Sequence, residues 1–166
     1  MDGGGIYNLA EGGIAEINIT DSKVNLNKTF MYDPDHGSGG GIFNVTLGGS
    51  ASVNFINSKI RNNAALNGGG INNFAEGGNA VVSLLESLIG NNDTRDNEEV
   101  ERGFGGGIYN DSNDGPASIQ STNSIIRNNS SLNGGGIYNL GEGGTAAISL
   151  LDSLVDSNYA EEDYDL

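Results

Sequence analysis

Residues 39–63 read GGGIFNVTLGGSASVNFINSKIRNN, and this 25-residue pattern occurs five times in the chain. Its other copies open as GGGIYN at 3, GGGINN at 68, GGGIYN at 105 and GGGIYN at 134. With the first Gly counted as position 0, all five copies align through position 24 without a gap. Position 3 is always Ile (Ile6, Ile42, Ile71, Ile108, Ile137) and position 5 always Asn (Asn8, Asn44, Asn73, Asn110, Asn139). Position 12 is always Ala, and position 14 is always Ile or Val (Ile17, Val53, Val82, Ile119, Ile148). Position 19 is Ser, position 21 is Val or Ile (Val24, Ile60, Ile89, Ile126, Val155), and position 24 is Asn (Asn27, Asn63, Asn92, Asn129, Asn158). Internal repetition of this kind decides the architecture before any local propensity does.

Within each copy, apolar and small residues alternate at positions 12, 14 and 16 and again at 19 and 21. A period of two means strands with one face turned inward. The pattern predicts about three short strands per copy, near positions 2–5, 12–17 and 19–22, with Gly pairs and Asn at the corners, where positive φ is tolerated. Three short strands cannot bury an inward face alone. Identical units stacked about 4.8 Å apart can, because each strand pairs in parallel with its copy above. The expected fold is therefore all-β: a parallel β-helix, or β-solenoid, of five coils forming a single domain over residues 1–166. The crossover rule favours right-handed winding. Like residues superpose, so Ile packs on Ile, and the two invariant Asn rows are expected to pass amide hydrogen bonds from coil to coil at the turns.

Composition narrows the partners. The 166 residues include 28 Gly and 24 Asn, with 22 acids against 7 Lys and Arg and a formal charge of −15. An acidic Gly- and Asn-rich chain suits disorder, but a disordered tract has no reason to hold a gapless register. The charge argues against nucleic acid and against an anionic membrane, both of which need a basic face. With no Cys there is neither a disulfide framework nor a Cys-type zinc site. No apolar run approaches the ~20 residues of a membrane span, and no signal-type segment opens the chain.

Length varies only after position 24. The second and fourth copies have four residues there, while the first and third have the longer loops 28–38 and 93–104. These loops project from one corner on alternate coils, about 9.6 Å apart, and a row of insertions on one side is a common functional edge. They and the C-terminal YAEEDYDL carry carboxylates: Asp33, Asp35, Asp93, Asp96, Glu98, Glu161, Glu162 and Asp163. Such oxygen donors suit Ca2+, although none of the loops has EF-hand or nonapeptide β-roll spacing, and a solvated acidic edge accounts for them as well. His36 stands alone as a loop residue.

The stretch Ile60-Arg61-Asn62-Asn63-Ala64-Ala65-Leu66-Asn67-Gly68-Gly69-Gly70-Ile71 resembles the FxxN…GGAI repeat of polymorphic outer-membrane proteins and the GGGIYN-type repeats of bacterial surface β-helices. Residues 126–137 match equally well, and the resemblance covers nearly the whole chain. This chain has Ile or Val where that repeat prefers Phe, and Gly where it has Ala. The resemblance implies a pectate-lyase-like right-handed β-helix and an extracellular or cell-surface setting. It names no ligand, because such repeats are a scaffold signature.

Three functional readings follow. The first is a structural building block that stacks head to tail with itself into a filament or surface fibre. Met1-Asp2 leads straight into the first coil and the last runs to Leu166 without a capping segment, so Ile148 and Val155 of one copy are expected to meet Ile17 and Val24 of the next; an excerpt of a longer solenoid, or frayed ends, accounts for the bare ends equally well. The ten residues made by the eight after Asn158 plus Met1-Asp2 approach the length of a long loop. The second reading is a glycan-binding or adhesive surface module, from an outward row at position 4: Tyr7, Phe43, Tyr109 and Tyr138, interrupted by Asn72, although cross-strand stacking of the rings on one another explains the row more simply. The third is a polysaccharide-processing enzyme. It is disfavoured, and no catalytic residue is assigned, because the carboxylates at position 18 (Asp21, Glu86, Asp152) alternate with Asn57 and Asn123 as a turn ladder would. Arg61 and Arg127, at position 22, are the residues that would meet an acidic sugar. Positions 17 and 20 are expected to face outward, and there Ile56, Leu85 and Leu151, then Leu88, Ile125 and Leu154, form an apolar stripe suited to a lateral interface. The sequons at Asn18, Asn44 and Asn110 follow from the Asn content alone.

Overall fold

A computed structural model describes residues 3–29, 38–94 and 103–160. Strands β1 (Ile6–Glu11), β2 (Ile14–Thr20) and β3 (Lys23–Asn25) make the first coil. The second consists of β4 (Ile42–Leu47), β5 (Ser50–Ile56), β6 (Lys59–Arg61) and β7 (Ala64–Ala65). The third consists of β8 (Ile71–Glu76), β9 (Asn79–Leu85), β10 (Leu88–Gly90) and β11 (Asp93–Thr94). The fourth has β12 (Ile108–Asn113), β13 (Pro116–Thr122), β14 (Ile125–Arg127) and β15 (Ser130–Ser131), and the fifth β16 (Ile137–Glu142), β17 (Thr145–Leu151), β18 (Leu154–Asp156) and β19 (Tyr159–Ala160). Each strand pairs in parallel with its counterpart in the next coil, giving sheets in the order β1-β4-β8-β12-β16, β2-β5-β9-β13-β17, β3-β6-β10-β14-β18 and β7-β11-β15-β19. The chain is thus a parallel β-helix of five coils, and the register joins like positions, for example Ile42 to Ile71 and Val53 to Val82.

Two features of the strands differ from the expectation. The first strand occupies positions 3–8 instead of 2–5, because the three glycines before it are held in the bend. A fourth short sheet also exists at positions 25–26, to which Lys28 adds a single parallel bridge in the first coil. Its sequence is too short, and too varied (Ala-Ala, Asp-Thr, Ser-Ser, Tyr-Ala), to show a period.

The core is a set of stacked ladders. Ile42, Ile71 and Ile108 from the first sheet, Val53, Val82 and Ile119 from the second and Ile60, Ile89 and Ile126 from the third are all buried, with Phe55 and Leu84 filling between them. The first and second sheets approach closely at their connecting turn, where Ala75, Ala80 and Ala117 form a small cluster that larger side chains would force apart.

The position-5 row sits inside this narrow part and not at a turn. Asn8 Nδ2 donates to Asn44 Oδ1 (2.7 Å), and the chain continues Asn44 to Asn73 (2.8 Å), Asn73 to Asn110 (2.8 Å) and Asn110 to Asn139 (2.7 Å). Each amide also donates to the carbonyl of the position-12 Ala across the turn, as Asn73 does to Ala80 (3.2 Å). The row therefore ties coil to coil and sheet to sheet at once. The position-24 row lies at a corner as expected: Asn63 Nδ2 and its backbone N–H both donate to Asn92 Oδ1 (3.0 and 3.1 Å). Position 19 repeats the device, each Ser accepting at Oγ from the backbone N–H of the Ser one coil before it, as Ser87 does from Ser58 (3.1 Å).

Geometry accounts for the three glycines. The first of each run has positive φ, for example Gly68 at 60°. A Cβ on the second would meet the fourth-sheet backbone, 2.6 Å from the Ala64 carbonyl carbon at Gly40. On the third it would meet the next coil and the Asn row: 2.5 Å from Gly107 O and 2.9 Å from Asn92 Nδ2 at Gly70. By contrast, a Cβ at Gly12, Gly48 or Gly77 meets nothing within 4 Å, and there only the positive φ selects Gly. Accordingly the fourth coil uses Asp114 at that position, with φ 58°.

Candidate functional site

The outward side of the first sheet carries the aromatic row, but not as an open platform. Tyr7 is 49% exposed, whereas Phe43 and Tyr109 are each 8% and Asn72 is 3%. Rings stack along the row, Tyr7 on Phe43 (centroids 5.4 Å apart) and Tyr109 on Tyr138 (5.6 Å). Phe104, which precedes the fourth glycine run, lies against both Tyr138 (4.9 Å) and Tyr109 (5.9 Å). The expected sugar-facing row is thus largely an internal stack. Phe104 bridges in parallel to Asn67 and Asn133, and nothing in its spacing, at the end of the loop 93–104, indicated that its ring would turn onto the row.

Beside this stack Tyr109 Oη donates to Asp111 Oδ2 at 2.9 Å. Desolvation by burial raises the Asp111 carboxyl above the ordinary carboxylate value and the nearby Glu142 charge adds to this, against the lowering effect of the Tyr109 hydrogen bond. Burial, reinforced by the Asp111 charge, pushes the Tyr109 phenol well above its usual range. The pair is a hydrogen bond on the wall beside the aromatic stack, with the Glu142 charge close to both members.

The position-18 carboxylates Asp21, Glu86 and Asp152 all lie in left-handed backbone at the corner between the second and third sheets, as do Asn57 and Asn123 (φ 48–51°). Asn57 Nδ2 donates to Asp21 Oδ1 at 2.7 Å. They form a turn ladder and do not converge on a cleft. The neighbouring positions 17 and 20 do point outward: Ile56, Leu85, Leu151 and Leu154 are exposed and Leu88 and Ile125 half-buried.

Of the acidic positions considered for calcium, Asp93 lies in β11, paired with Ala64 and Ser130. Asp33, Asp35, Asp96, Glu98, Glu161, Glu162 and Asp163 lie outside the described residues, as does His36. Among the described residues no group of three or more His, Asp or Glu side chains is placed to hold a metal ion. The sequons at Asn44 and Asn110 are closed by the fold, since both side chains are fully buried in the amide row.

The four residues expected at an end-to-end contact stand at opposite ends of the stack. Ile17 and Val24 belong to the first coil and Ile148 and Val155 to the fifth; Ile17 and Ile148 pack against the core from its two sides, and Val155 is 42% exposed. In the fifth coil Leu150 and Tyr159 are exposed as well. All three polar rows run in one direction. At the first coil Asn8 and Asn27 donate toward the second coil, and at the fifth Asn139 and Asn158 accept from the fourth.

No protein-family profile matches the chain, and neither the curated proteins nor the solved structures give a match.

Proposed function

We propose that this chain is an extracellular structural protein, a β-solenoid building block whose coils stack end to end with those of a second copy into a filament or surface fibre. The matched polarity of its two end coils carries the reading. A fifth coil ends each polar row in an amide or backbone donor (Asn139 Nδ2, Asn158 Nδ2 and the Ser153 N–H), and a first coil begins each row with an acceptor (Asn8 Oδ1, Asn27 Oδ1 and Ser22 Oγ). Set head to tail in register, these groups meet as they do at every internal junction, such as Ser124 N–H to Ser153 Oγ at 3.2 Å. Head to head, donor would meet donor. The apolar rows agree, since Ile148 and Val155 would cover Ile17 and Val24, and such a heterologous contact propagates. Among the described residues the outer edges of the first- and fifth-coil strands pair with no further strand, and such edges favour occupation by another parallel coil.

The likeness to surface β-helix repeats supports the extracellular setting, and Ca2+ at the acidic loops is part of the same proposal. The position-18 corner ladder supports a non-enzymatic role. An adhesive or glycan-binding role draws less support, because the aromatic row is closed by its own stacking. Negative-stain electron microscopy with light scattering across a concentration series tests the proposal. Particles that lengthen along one axis with concentration are expected; uniform monomers at every concentration would overturn it.

A further inference from the structure

The third sheet gathers the protein's scarce positive charge. Of 7 basic residues in the whole chain, Lys23, Lys59, Arg61 and Arg127 lie on its strands β3, β6 and β14. None of the four forms an ion pair among the described residues. They share this face with Leu88, Ile125 and Leu154, and Ile56, Leu85 and Leu151 line its edge, so the face is both cationic and aliphatic in a molecule of charge −15.

A complementary edge stands on the same molecule. Position 8, where the first sheet turns into the second, carries Glu11, Leu47, Glu76, Asn113 and Glu142 in successive coils, all exposed. The turn that follows is bare, since glycine predominates there and a Cβ at Gly12, Gly48 or Gly77 would meet nothing within 4 Å. A slender acidic edge therefore projects from the solenoid.

The two surfaces have the same two-coil period. Glutamates occupy coils one, three and five and arginines coils two and four, each set repeating every two coils, about 9.6 Å. We propose that the third-sheet face docks side to side on the position-8 edge of a second copy of this chain, parallel and offset by one coil. With that offset Arg61 faces Glu11, Arg127 faces Glu76 and Asp156 faces Asn113. Leu47, 41% exposed, meets Gly90. Gly90 stands between the two arginines with no side chain of its own, buried against the neighbouring strand: a Cβ there would lie 3.2 Å from the Arg127 carbonyl oxygen and 3.6 Å from the Leu88 side chain. Without the offset, Asp156 faces Glu142 and Arg61 faces Leu47, so charge disfavours the unshifted register. A free polyanion would use the cations but leave six outward aliphatic side chains without a role, whereas a protein edge covers both. Because the donor and acceptor surfaces differ, the contact is heterologous and builds lateral arrays. It does not depend on the end-to-end contact, which uses neither surface.

Two charge-reversed variants of the full chain test this by sedimentation velocity: R61E/R127E, and E11R/E76R/E142R. Wild type is expected to self-associate, and each variant alone to lose at least ten-fold in affinity. Mixing the two is expected to restore pairwise association, because each retains the row the other lacks. End-to-end stacking is indifferent to these substitutions, so an association that persists unchanged in both variants overturns the lateral contact and leaves the stacking proposal standing. A mixture that fails to associate also overturns it. So does a wild type that shows no lateral association but binds heparin or polygalacturonate through Arg61 and Arg127.

Discussion

Replacing Asn73 with Leu, which is similar in size and has no polar atom, probes the ladder at its centre. Asn73 is fully buried; its Nδ2 donates to Asn110 Oδ1 at 2.8 Å and to the Ala80 carbonyl at 3.2 Å, and its Oδ1 accepts from Asn44 Nδ2 at 2.8 Å. After substitution Asn44 Nδ2 still has the Ala51 and Val81 carbonyls, both at 3.2 Å. Asn110 Oδ1, also fully buried, is left without its donor. A net hydrogen bond is worth about 1 kcal/mol and a buried orphan costs about 1–3 kcal/mol. Two lost side-chain pairings and one orphan thus make Asn73→Leu destabilising by about 3–5 kcal/mol. At the end of the row Asn139 is exposed, so water replaces its partners and Asn139→Leu costs less than about 1 kcal/mol by the same reasoning. Urea unfolding followed by circular dichroism, compared at equal m-value, measures both. Equal costs at the two sites, or a cost below about 1 kcal/mol at Asn73, would refute the view that a buried amide relay holds the coils together.

Other substitutions separate further causes. Gly70→Ala places a Cβ 2.5 Å from a backbone oxygen and 2.9 Å from the Asn92 amide, so it is expected to cost more than about 3 kcal/mol, beyond ordinary overpacking. Gly77→Ala meets nothing within 4 Å and is expected to cost about 1–2 kcal/mol, the penalty of left-handed backbone alone; thermal melts that rank them the other way would contradict the packing assigned to the glycine run. The Asp111 carboxyl titrates higher folded than unfolded, so the folded state holds its proton longer and stability falls as pH rises through the carboxylate range. Asp111→Asn is expected to flatten that fall and to raise the melting temperature at neutral pH, and an unchanged profile would remove Asp111 as its source. Ultraviolet titration should find Tyr109 ionising well above the usual phenol range, a late step that Tyr109→Phe abolishes.

The gapless repeat made the coil count and the ladders legible because stacking converts sequence register directly into space: every residue at position 3, 14 or 21 meets its own kind. The conformations at position 18 followed from the same logic. The fourth sheet was not legible, since two residues have no period and their pairing is imposed by the coils on either side. The aromatic row was read as outward-pointing with its rings stacked across strands, and the rings do contact one another along it, but the depth of their cover was not legible. Alternation fixes which way Tyr109 points, but whether another side chain covers it depends on Phe104, at the end of a loop whose path no repeat constrains. The gathering of cations on the third sheet was read only as the alternation of Arg61 and Arg127; Lys23 and Lys59 stand at position 20, already read as outward-facing, but there the apolar members of the row drew the reading.

End-to-end stacking has a direct test because the chain has no native Cys. Asn18 and Ser149 occupy the same position on the outer face of the second sheet in the first and fifth coils, joined through the register Asn18–Asn54–Ser83–Gln120–Ser149. Within one molecule they are four coils apart, about 19 Å, too far for a disulfide. Across a head-to-tail junction they become ladder neighbours about 4.8 Å apart, within disulfide reach. Mild oxidation of the N18C/S149C protein is expected to give a covalent ladder of dimers, trimers and longer chains on a denaturing non-reducing gel, while N18C alone stops at dimers at most. Only monomer at every concentration, or N18C/S149C no different from N18C, would contradict the stacking.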